Sequence, residues 1–559
     1  MLEKIGSLIK KPSTAILLLL LLGMVVYANC LPNEMFWDDD DFILRNLFIQ
    51  DWKYWPHFFT DNLLAGTSLM SNYWRPLVQI FFAAQWHLWA DWAPGWHAIG
   101  ILLHSINAAL LFLLFRRLFH RPAAAFIAAL LFLIHPVQTE TVAYACSQGD
   151  SLVFLCTLLG LNTFVRYRIT GKRSCYLGAL ACFALALMTK EIGIIFLPLL
   201  MLCDGAYCRT MPGIWPRIRK MLLALLPFLA IAIIYALLRA TLLYFGSAKD
   251  YYPERPDFQT NILVRTLTFL KAVPEYIGVL LWPAHLQFDR PFAMADLRLT
   301  PMITLGAALL TGAGTLVWKC RNTAPIVSFG ASWFLVTLFP YSNIPLIINS
   351  LFFEHFLYIP IAGLGLAAGW GAIVLFEHYP RQRTWLLTLG MTGILALAGR
   401  TIARNADWGN PVGFYEQIAR NNPSYRVLNN LGMEYAAKGR TADAESAYNK
   451  AIALDATNAV AYHNMGNLCR DTQRDKDAIH YFEQAIAVQK NFIFSYKSLA
   501  QLYLNAKDYA NARRVLEQYF QYADDREFTL NLLIRIAQQQ NDTADVQRYT
   551  RNLQILRAK

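Results

Sequence analysis

A chain of 559 residues that is 56% hydrophobic, with a mean hydropathy of +0.31, is too apolar for a soluble protein of that size and reads as a polytopic membrane protein. The net charge of +12 sits largely in short loops between apolar runs, where it reports topology and argues against a nucleic-acid partner. Nine cysteines, scattered singly and many of them inside apolar segments, show neither metal-type spacing nor a disulfide framework.

Met1 to Lys11 carries Lys4, Lys10 and Lys11 ahead of the apolar run Ala15 to Cys30. That run lacks a small-residue cleavage site, so it is expected to be a retained first span with a cytoplasmic N-terminus. Just beyond it lies Phe36-Trp37-Asp38-Asp39-Asp40-Asp41-Phe42, a run of carboxylates between aromatics at the outer membrane surface. Desolvation and mutual repulsion raise carboxylate pKa values there, which is how a general base is made. An acidic cap that keeps the loop outside is the competing reading. A divalent cation on these carboxylates also stays open, although consecutive side chains make a poor oxygen cage without outside partners.

The outer loop runs from Leu31 to about Gly95, and its segment Trp74 to Trp92 is amphipathic enough to lie in the interface. A second span, Trp96 to Phe115, stops at Arg116 and Arg117; a third, Pro122 to Ile134, returns outward to His135 and Glu140, so the loop ending in Asp150 shares a side with the first. Span four descends to Arg166, Arg168, Lys172 and Arg173, and span five rises to Lys190-Glu191, charges set between two apolar runs. Such residues are costly in a membrane and usually functional, the alternative being a self-neutralising pair. Span six falls to Arg209, Arg217, Arg219 and Lys220, and span seven climbs to Arg239. The stretch Phe258 to Asp289 holds Arg265, Lys271, Pro274 and Glu275, and crossing there would invert the charge of later loops; it is expected to be interfacial or re-entrant. Pro301 to Val317, Pro325 to Phe339, Phe356 to Phe376 and Thr384 to Arg400 complete about eleven spans.

Beyond Arg404 the chain is polar and repetitive. Leu431-Gly432, Met465-Gly466 and Leu499-Ala500 recur every 34 residues, as do Ala444, Ala478 and Ala512, and then Tyr448, Phe482 and Leu516. This is the tetratricopeptide period, in which small residues let paired helices approach closely. The organisation expected is a membrane domain over 1–404, a linker helix over 405–424 and a repeat α-solenoid over 425–559, giving an all-α protein.

The acidic run, "WRPL" from Trp74, His97 and His104, "HPVQTETVAYACSQGD" from His135, "KEIG" from Lys190, "PYSNI" from Pro340, "EHFLYIP" from Glu354 and "RNADW" from Arg404 appear in this order over nearly the whole chain. Together they resemble the transmembrane and tetratricopeptide-repeat O-mannosyltransferases. The resemblance implies a GT-C glycosyltransferase that uses a polyprenyl-phosphate sugar at the outer membrane face, inverting the anomeric carbon in a single displacement. In that pattern the paired acids match Asp38 and Asp39, whereas Asp40 and Asp41 fall at variable positions. Two departures stand out: Ser147-Gln148-Gly149-Asp150 replaces a Gly-Arg-Ala-Asp run, and Glu354-His355 replaces a Glu-Arg pair. With a shorter repeat array than the animal members, the chain looks like a bacterial relative, for which mannose is not assumed.

A lipid-phosphate donor already carries its leaving group, so the protein has to orient the acceptor hydroxyl, take its proton and stabilise phosphate charge. Asp38 or Asp39 is the expected base. Arg75, Glu140, Asp150, Lys190, Glu191, Arg239, Glu354, His355 and Arg404 are the candidate donor-binding residues. His97, His104 and His135 join them, with packed helix-end histidines as the alternative. The expected partners are the lipid-linked donor, a protein or peptide acceptor bound by the repeats, and an inner membrane crossed many times with the repeats periplasmic. A membrane-anchored repeat scaffold for envelope complexes, and a GT-C transferase acting on lipid or oligosaccharide, remain the other classes.

Overall fold

The computed structural model describes residues 10–67, 71–207, 214–245, 255–288, 290, 292–421, 423–523 and 526–557. Lys4, Arg209 and Asp289 lie outside these residues, as do the first nine residues and the side chain of Arg217. Among the described residues every regular element is helical. Two compact units divide the chain, Met1–Asn410 and Pro411–Lys559, so the stretch 405–424 is shared between them. Its first residues complete the last helix of the membrane unit, and the remainder begins the second unit.

The membrane unit contains α1 (Pro12–Tyr27), α2 (Pro76–Trp89), α3 (Ala93–Phe119), α4 (Pro122–Ile134), α5 (Gln148–Thr170), α6 (Arg173–Thr189), α7 (Phe196–Tyr207), α8 (Ile214–Ala240), α9 (Ile262–Leu281), α10 (Pro301–Thr323), α11 (Pro325–Leu338), α12 (Ile361–His378) and α13 (Arg383–Asp407). Among the described residues eight helices are long and apolar enough to cross a membrane, or nine if α4 and Pro136–Ala143, bent by 54° at His135, form one broken span. The count of eleven also takes in α6 and α7, of 17 and 12 residues. At 1.5 Å per residue α7 is shorter than the hydrocarbon core, and the 3₁₀ turn Glu191–Ile195 lengthens that passage. α2 occupies the expected interfacial segment, burying Val78, Phe82 and Ala83 while Leu88 is exposed. α9 is not among the helices apolar enough to cross.

Proline opens six of these helices, α1 to α4, α10 and α11, where its missing N–H costs nothing and its fixed φ fits the first turn. α11 and α12 meet backbone to backbone: a Cβ on Gly330 would lie 2.4 Å from the Gly363 carbonyl oxygen, and one on Gly363 would lie 2.3 Å from that of Gly330. Polar side chains then tie distant helix ends together. Tyr27 donates to the Leu133 carbonyl at 3.2 Å, Thr401 to that of Ile134 at 2.6 Å, and Asn405 to that of Val26 at 3.0 Å, which fixes α1, α4 and α13 beside one another. Each bond satisfies a carbonyl that a helix terminus leaves open in an apolar medium.

The second unit begins with α14 (Pro411–Asn421) and continues as four helix pairs: α15 (Tyr425–Ala437) with α16 (Thr441–Leu454), α17 (Ala459–Asp471) with α18 (Asp475–Val488), α19 (Ile493–Asn505) with α20 (Tyr509–Tyr519), and α21 (Arg526–Gln539) with α22 (Thr543–Arg557). The period seen in the sequence is a packing device. Ala444, Ala478 and Ala512 are fully buried, and the rings of Tyr448 and Phe482 fill the space left by Gly432 and Gly466. Arginine–carboxylate pairs link the second helix of each repeat to that of the next: Arg474 with Glu445, Arg514 with Glu483 at 3.5 Å, and Arg513 with Asp542 at 2.8 Å and Asp545 at 2.5 Å. A Cβ on Gly466 would stand 2.7 Å from the Phe482 ring. Gly466→Ala is therefore expected to destabilise the repeat unit by about 1–3 kcal/mol, the usual cost of overpacking. Thermal unfolding of the purified protein checks this, and an unchanged repeat-unit transition would refute it.

Candidate active site

The acidic run folds into a tight motif beyond the end of α1. Trp37 takes a left-handed backbone conformation, φ 63°, a strained setting for a bulky side chain, and Asp40–Leu44 form one π-helical turn. Trp37 is held there by an edge contact with Phe288, ring centroids 5.2 Å apart, within an aromatic cluster that includes Phe36, Tyr144 and Trp408. The turn aims Asp39 inward. Its side chain is buried, and Oδ1 accepts the Cys146 N–H at 2.7 Å, while the Asp38 N–H donates to the Tyr144 hydroxyl at 2.8 Å. Burial above all pushes the Asp39 carboxyl up to about 8, with the neighbouring Asp38 and Asp40 charges adding to it and the Cys146 N–H opposing it. Burial also raises Asp40, against the pull of Arg45. Asp38 is half-buried, as are Asp40 and Asp41.

The candidate cations of the membrane unit already have partners. Lys190 Nζ holds both oxygens of buried Asp150, at 2.7 and 2.8 Å. Arg75 grips Glu191 through Nε at 3.1 Å and Nη2 at 2.8 Å, and lies over the Tyr73 ring. His355 Nδ1 lies 2.6 Å from Oε1 of buried Glu140, whose Oε2 accepts the His355 backbone N–H at 3.0 Å. Arg404, fully buried, lies 3.6 Å from Glu354 and 3.1 Å from Asp407. Asp150 is within electrostatic reach of Lys190, His355 and Arg75, and Cys146 within reach of Asp38, Asp39 and Lys190, so these groups line one region. Glu354 Oε1 accepts the Gln287 N–H at 2.5 Å, and burial pushes Glu354 up to about 7 despite Arg404.

Lys190 and Glu191, neighbours in sequence, do not pair with each other. The extended backbone at Lys190 sends adjacent side chains to opposite sides, Lys190 to Asp150 and Glu191 to Arg75. Arg239 donates to the carbonyls of Asn72, at 2.6 Å, and Leu243, and Tyr235 lies within reach of Arg239, Arg75 and Glu191. The candidate histidines are placed differently. His104 uses both ring nitrogens, on the Tyr358 hydroxyl and the Leu133 carbonyl, each at 3.0 Å. His135 bonds the Leu280 carbonyl at 3.0 Å and accepts the Val137 N–H at 3.2 Å. Both rings thus spend their nitrogens on tethering helix ends, which favours the packed helix-end alternative. His97 is buried against the Asn33 carbonyl at 3.1 Å, with Nδ1 unpartnered.

Sequence reasoning did not single out Tyr144 and Cys146, which seat the acidic pair, although both lie inside the stretch that carries the resemblance. Nor did it single out Tyr358, whose hydroxyl meets His104, Asn107 and Ser151 at 3.0–3.1 Å. Among the described residues no three His, Cys, Asp or Glu side chains converge as a metal cage requires.

Residues 76–242 match the family model described as dolichyl-phosphate-mannose-protein mannosyltransferase, and residues 426–491 match a tetratricopeptide repeat. The protein O-mannosyl-transferase F38B6.6 of Caenorhabditis elegans is 24% identical over 455 residues, 79% of this chain and 62% of the relative. Tmtc1 of Drosophila melanogaster is 25% identical over 536 residues with the same shares, and human TMTC4 is 26% identical over 478 residues, 75% of this chain and 63% of the relative. The chain thus spans about three fifths of the length of these relatives. Among solved structures, ArnT from Cupriavidus metallidurans bound to undecaprenyl phosphate superposes with a TM-score of 0.41 at 14% identity, covering 87% of this chain and 80% of that one. The resemblance read from the motifs holds: the chain is similar to tetratricopeptide-containing O-mannosyltransferases, and its described residues form a helical membrane unit followed by a repeat solenoid.

Proposed function

We infer that this multi-pass membrane protein is a glycosyltransferase that moves a sugar from a polyprenyl-phosphate donor to a protein hydroxyl at the outer face, with the repeats recruiting the acceptor. One observation carries the reading: a buried carboxylate, Asp39, raised into the range where it exchanges protons near neutral pH, and bonded to Cys146, which is in turn within electrostatic reach of Lys190, one of the cations around Asp150. Asp39, with Asp38 next to it, takes the acceptor proton as the hydroxyl oxygen attacks the anomeric carbon. Lys190 and Arg75, with Arg239 behind them, hold the phosphate as its charge grows. Since Lys190 and Arg75 already have carboxylate partners, donor phosphate enters by sharing or displacing them. A divalent cation remains an open addition to the donor set.

Transfer of labelled sugar from a polyprenyl-phosphate donor to envelope protein, by the protein in nanodiscs, tests the reading directly. Absence of transfer from every such donor would overturn it, and full activity after Asp39→Asn would favour the scaffold. Lys190→Gln is expected to raise the KM for donor about tenfold to a hundredfold, the worth of one charge-assisted hydrogen bond, while leaving the KM for acceptor alone. An unchanged donor KM would return Lys190 to a structural pairing with Asp150. The proposed orientation puts the repeats outside. A cysteine at Ala456, exposed between α16 and α17, is then expected to react with an impermeant maleimide without permeabilising the inner membrane. Reaction only after permeabilisation would invert the topology.

A further inference from the structure

Every cation of the site except one is a permanent charge. His355 is the exception, and its setting is that of an oriented proton carrier. Buried Glu140 takes the ring at Nδ1, 2.6 Å away, and locks the same residue through its backbone N–H at 3.0 Å. The ring lies nearly parallel to Phe353, centroids 5.1 Å apart at 24°, and edge-on to Phe356 at 4.8 Å and 79°. With two aromatic walls and a carboxylate fixing one nitrogen, the tautomer and the direction of the ring are set, and Nε2 has no hydrogen-bond partner among the described residues. The His355 side chain is 16% exposed against 2% for Glu140, so the dyad opens on the His355 side. Asp150, the partner of Lys190, feels Lys190, His355 and Arg75 together, which puts the imidazole beside the groups assigned to the donor phosphate.

We propose that His355 is the general acid of the transfer, protonating the phosphate oxygen that leaves the sugar, with Glu140 as its positioning residue. The proposal rests on the glycosyltransferase reading above. The chemistry balances without another reactant. The acceptor oxygen forms its bond to the anomeric carbon, and the bond from that carbon to phosphate oxygen breaks, its electron pair going to the phosphate. The acceptor proton passes to Asp39, and the Nε2 proton passes to the departing oxygen. A phosphodiester with one negative charge thus leaves as a singly protonated monoester with one negative charge, and protons exchanged with solvent reset Asp39 and His355. Without the acid, the leaving group would gain a second negative charge next to Asp150, Glu140 and Glu191.

His355→Asn keeps a donor toward Glu140 and removes the transferable proton. It is expected to lower kcat about a hundredfold or more, the usual contribution of a general acid, with the KM for donor within twofold of wild type. Glu140→Gln is expected to lower kcat by a smaller factor, again without raising that KM. In His355→Gly, added imidazole is expected to restore kcat at least tenfold, a recovery that a purely structural histidine would not show. Thermal midpoints of all variants, measured alongside, identify any loss that comes from unfolding. A wild-type kcat in His355→Asn overturns the proposal, as does a raised donor KM at constant kcat, and so does a stably folded His355→Gly that imidazole does not rescue. Failure of the wild-type protein to use any polyprenyl-phosphate sugar overturns the glycosyltransferase reading itself, a result distinct from all of these.

Discussion

Replacing Asp38 and Asp39 together by Asn is expected to lower sugar transfer between a hundredfold and ten-thousandfold, the range over which general bases contribute, while the protein folds and inserts. The amide keeps the size and still accepts the Cys146 N–H, so what is lost is proton acceptance. Asp40→Asn with Asp41→Asn is expected to cost far less, because those carboxylates are half-buried and Asp40 faces Arg45. In the wild type, the base-dependent limb of the activity profile is expected to rise with pH as Asp39 ionises near 8. Stability moves the other way. The folded value lies above the ordinary 3.8, so the contribution of Asp39 is full below about 4 and is lost as pH climbs through about 8. Asp39→Asn alone is accordingly expected to be inactive yet more stable than wild type above pH 8. Equal activity of the Asp38, Asp39 double variant and wild type would end the catalytic reading, and loss only in the Asp40, Asp41 variant would shift the base within the same loop.

The buried pair of Glu354 and Arg404 gives the other large effect, and its two halves are expected to behave differently. Glu354→Leu strands a fully buried guanidinium that cannot shed its proton, with only half-exposed Asp407 left as a charged partner. Its expected cost is about 3–5 kcal/mol at pH 6, in the range for removing one partner of a buried pair, and it narrows toward pH 8, because the contribution of Glu354 itself fades as pH rises through 7. Arg404→Met strands a carboxyl that can neutralise itself. Burial has already raised Glu354 from 4.5 to about 7, so its favourable contribution is full below about 4.5 and fades as pH rises through 7. Without Arg404 it holds its proton more tightly still. The Arg404→Met deficit is therefore expected to be small at pH 6 and to grow toward pH 8. Unfolding of the purified variants at both pH values checks this, and a deficit for Arg404→Met that does not change with pH would contradict it.

Much of the architecture was legible in the sequence because it rests on local periodicity. Apolar runs punctuated by proline and basic loops marked most membrane helices, and the 34-residue recurrence of Gly466-like and Phe482-like positions marked the helix pairs. The site was legible only as a set of residue types. Four adjacent aspartates look alike in a string, and what distinguishes Asp39 is an N–H contributed by a residue 107 positions away. Lys190 and Glu191 illustrate the same limit: proximity in sequence left a mutual pair open as the alternative to a functional role, whereas each finds a partner 40 and 116 positions distant. The histidines show the same limit, since a ring that tethers helix ends and one that serves chemistry have the same sequence signature, and only the bonds of His104 and His135 favour tethering.

The arginine–carboxylate pairs along the second helices of the repeats bear on mechanics. Arg474 with Glu445, Arg514 with Glu483, and Arg513 with Asp542 and Asp545 act as struts between successive segments of an otherwise hinged rod. Individually such half-exposed pairs contribute roughly 0–1 kcal/mol, too little to decide whether the rod exists. In series they set its stiffness. Their reach shrinks as the Debye length falls from about 10 Å at 0.1 M salt to about 3 Å at 1 M. The rod should then become more compliant in concentrated salt, bending and stretching more under a given load while its helices stay intact.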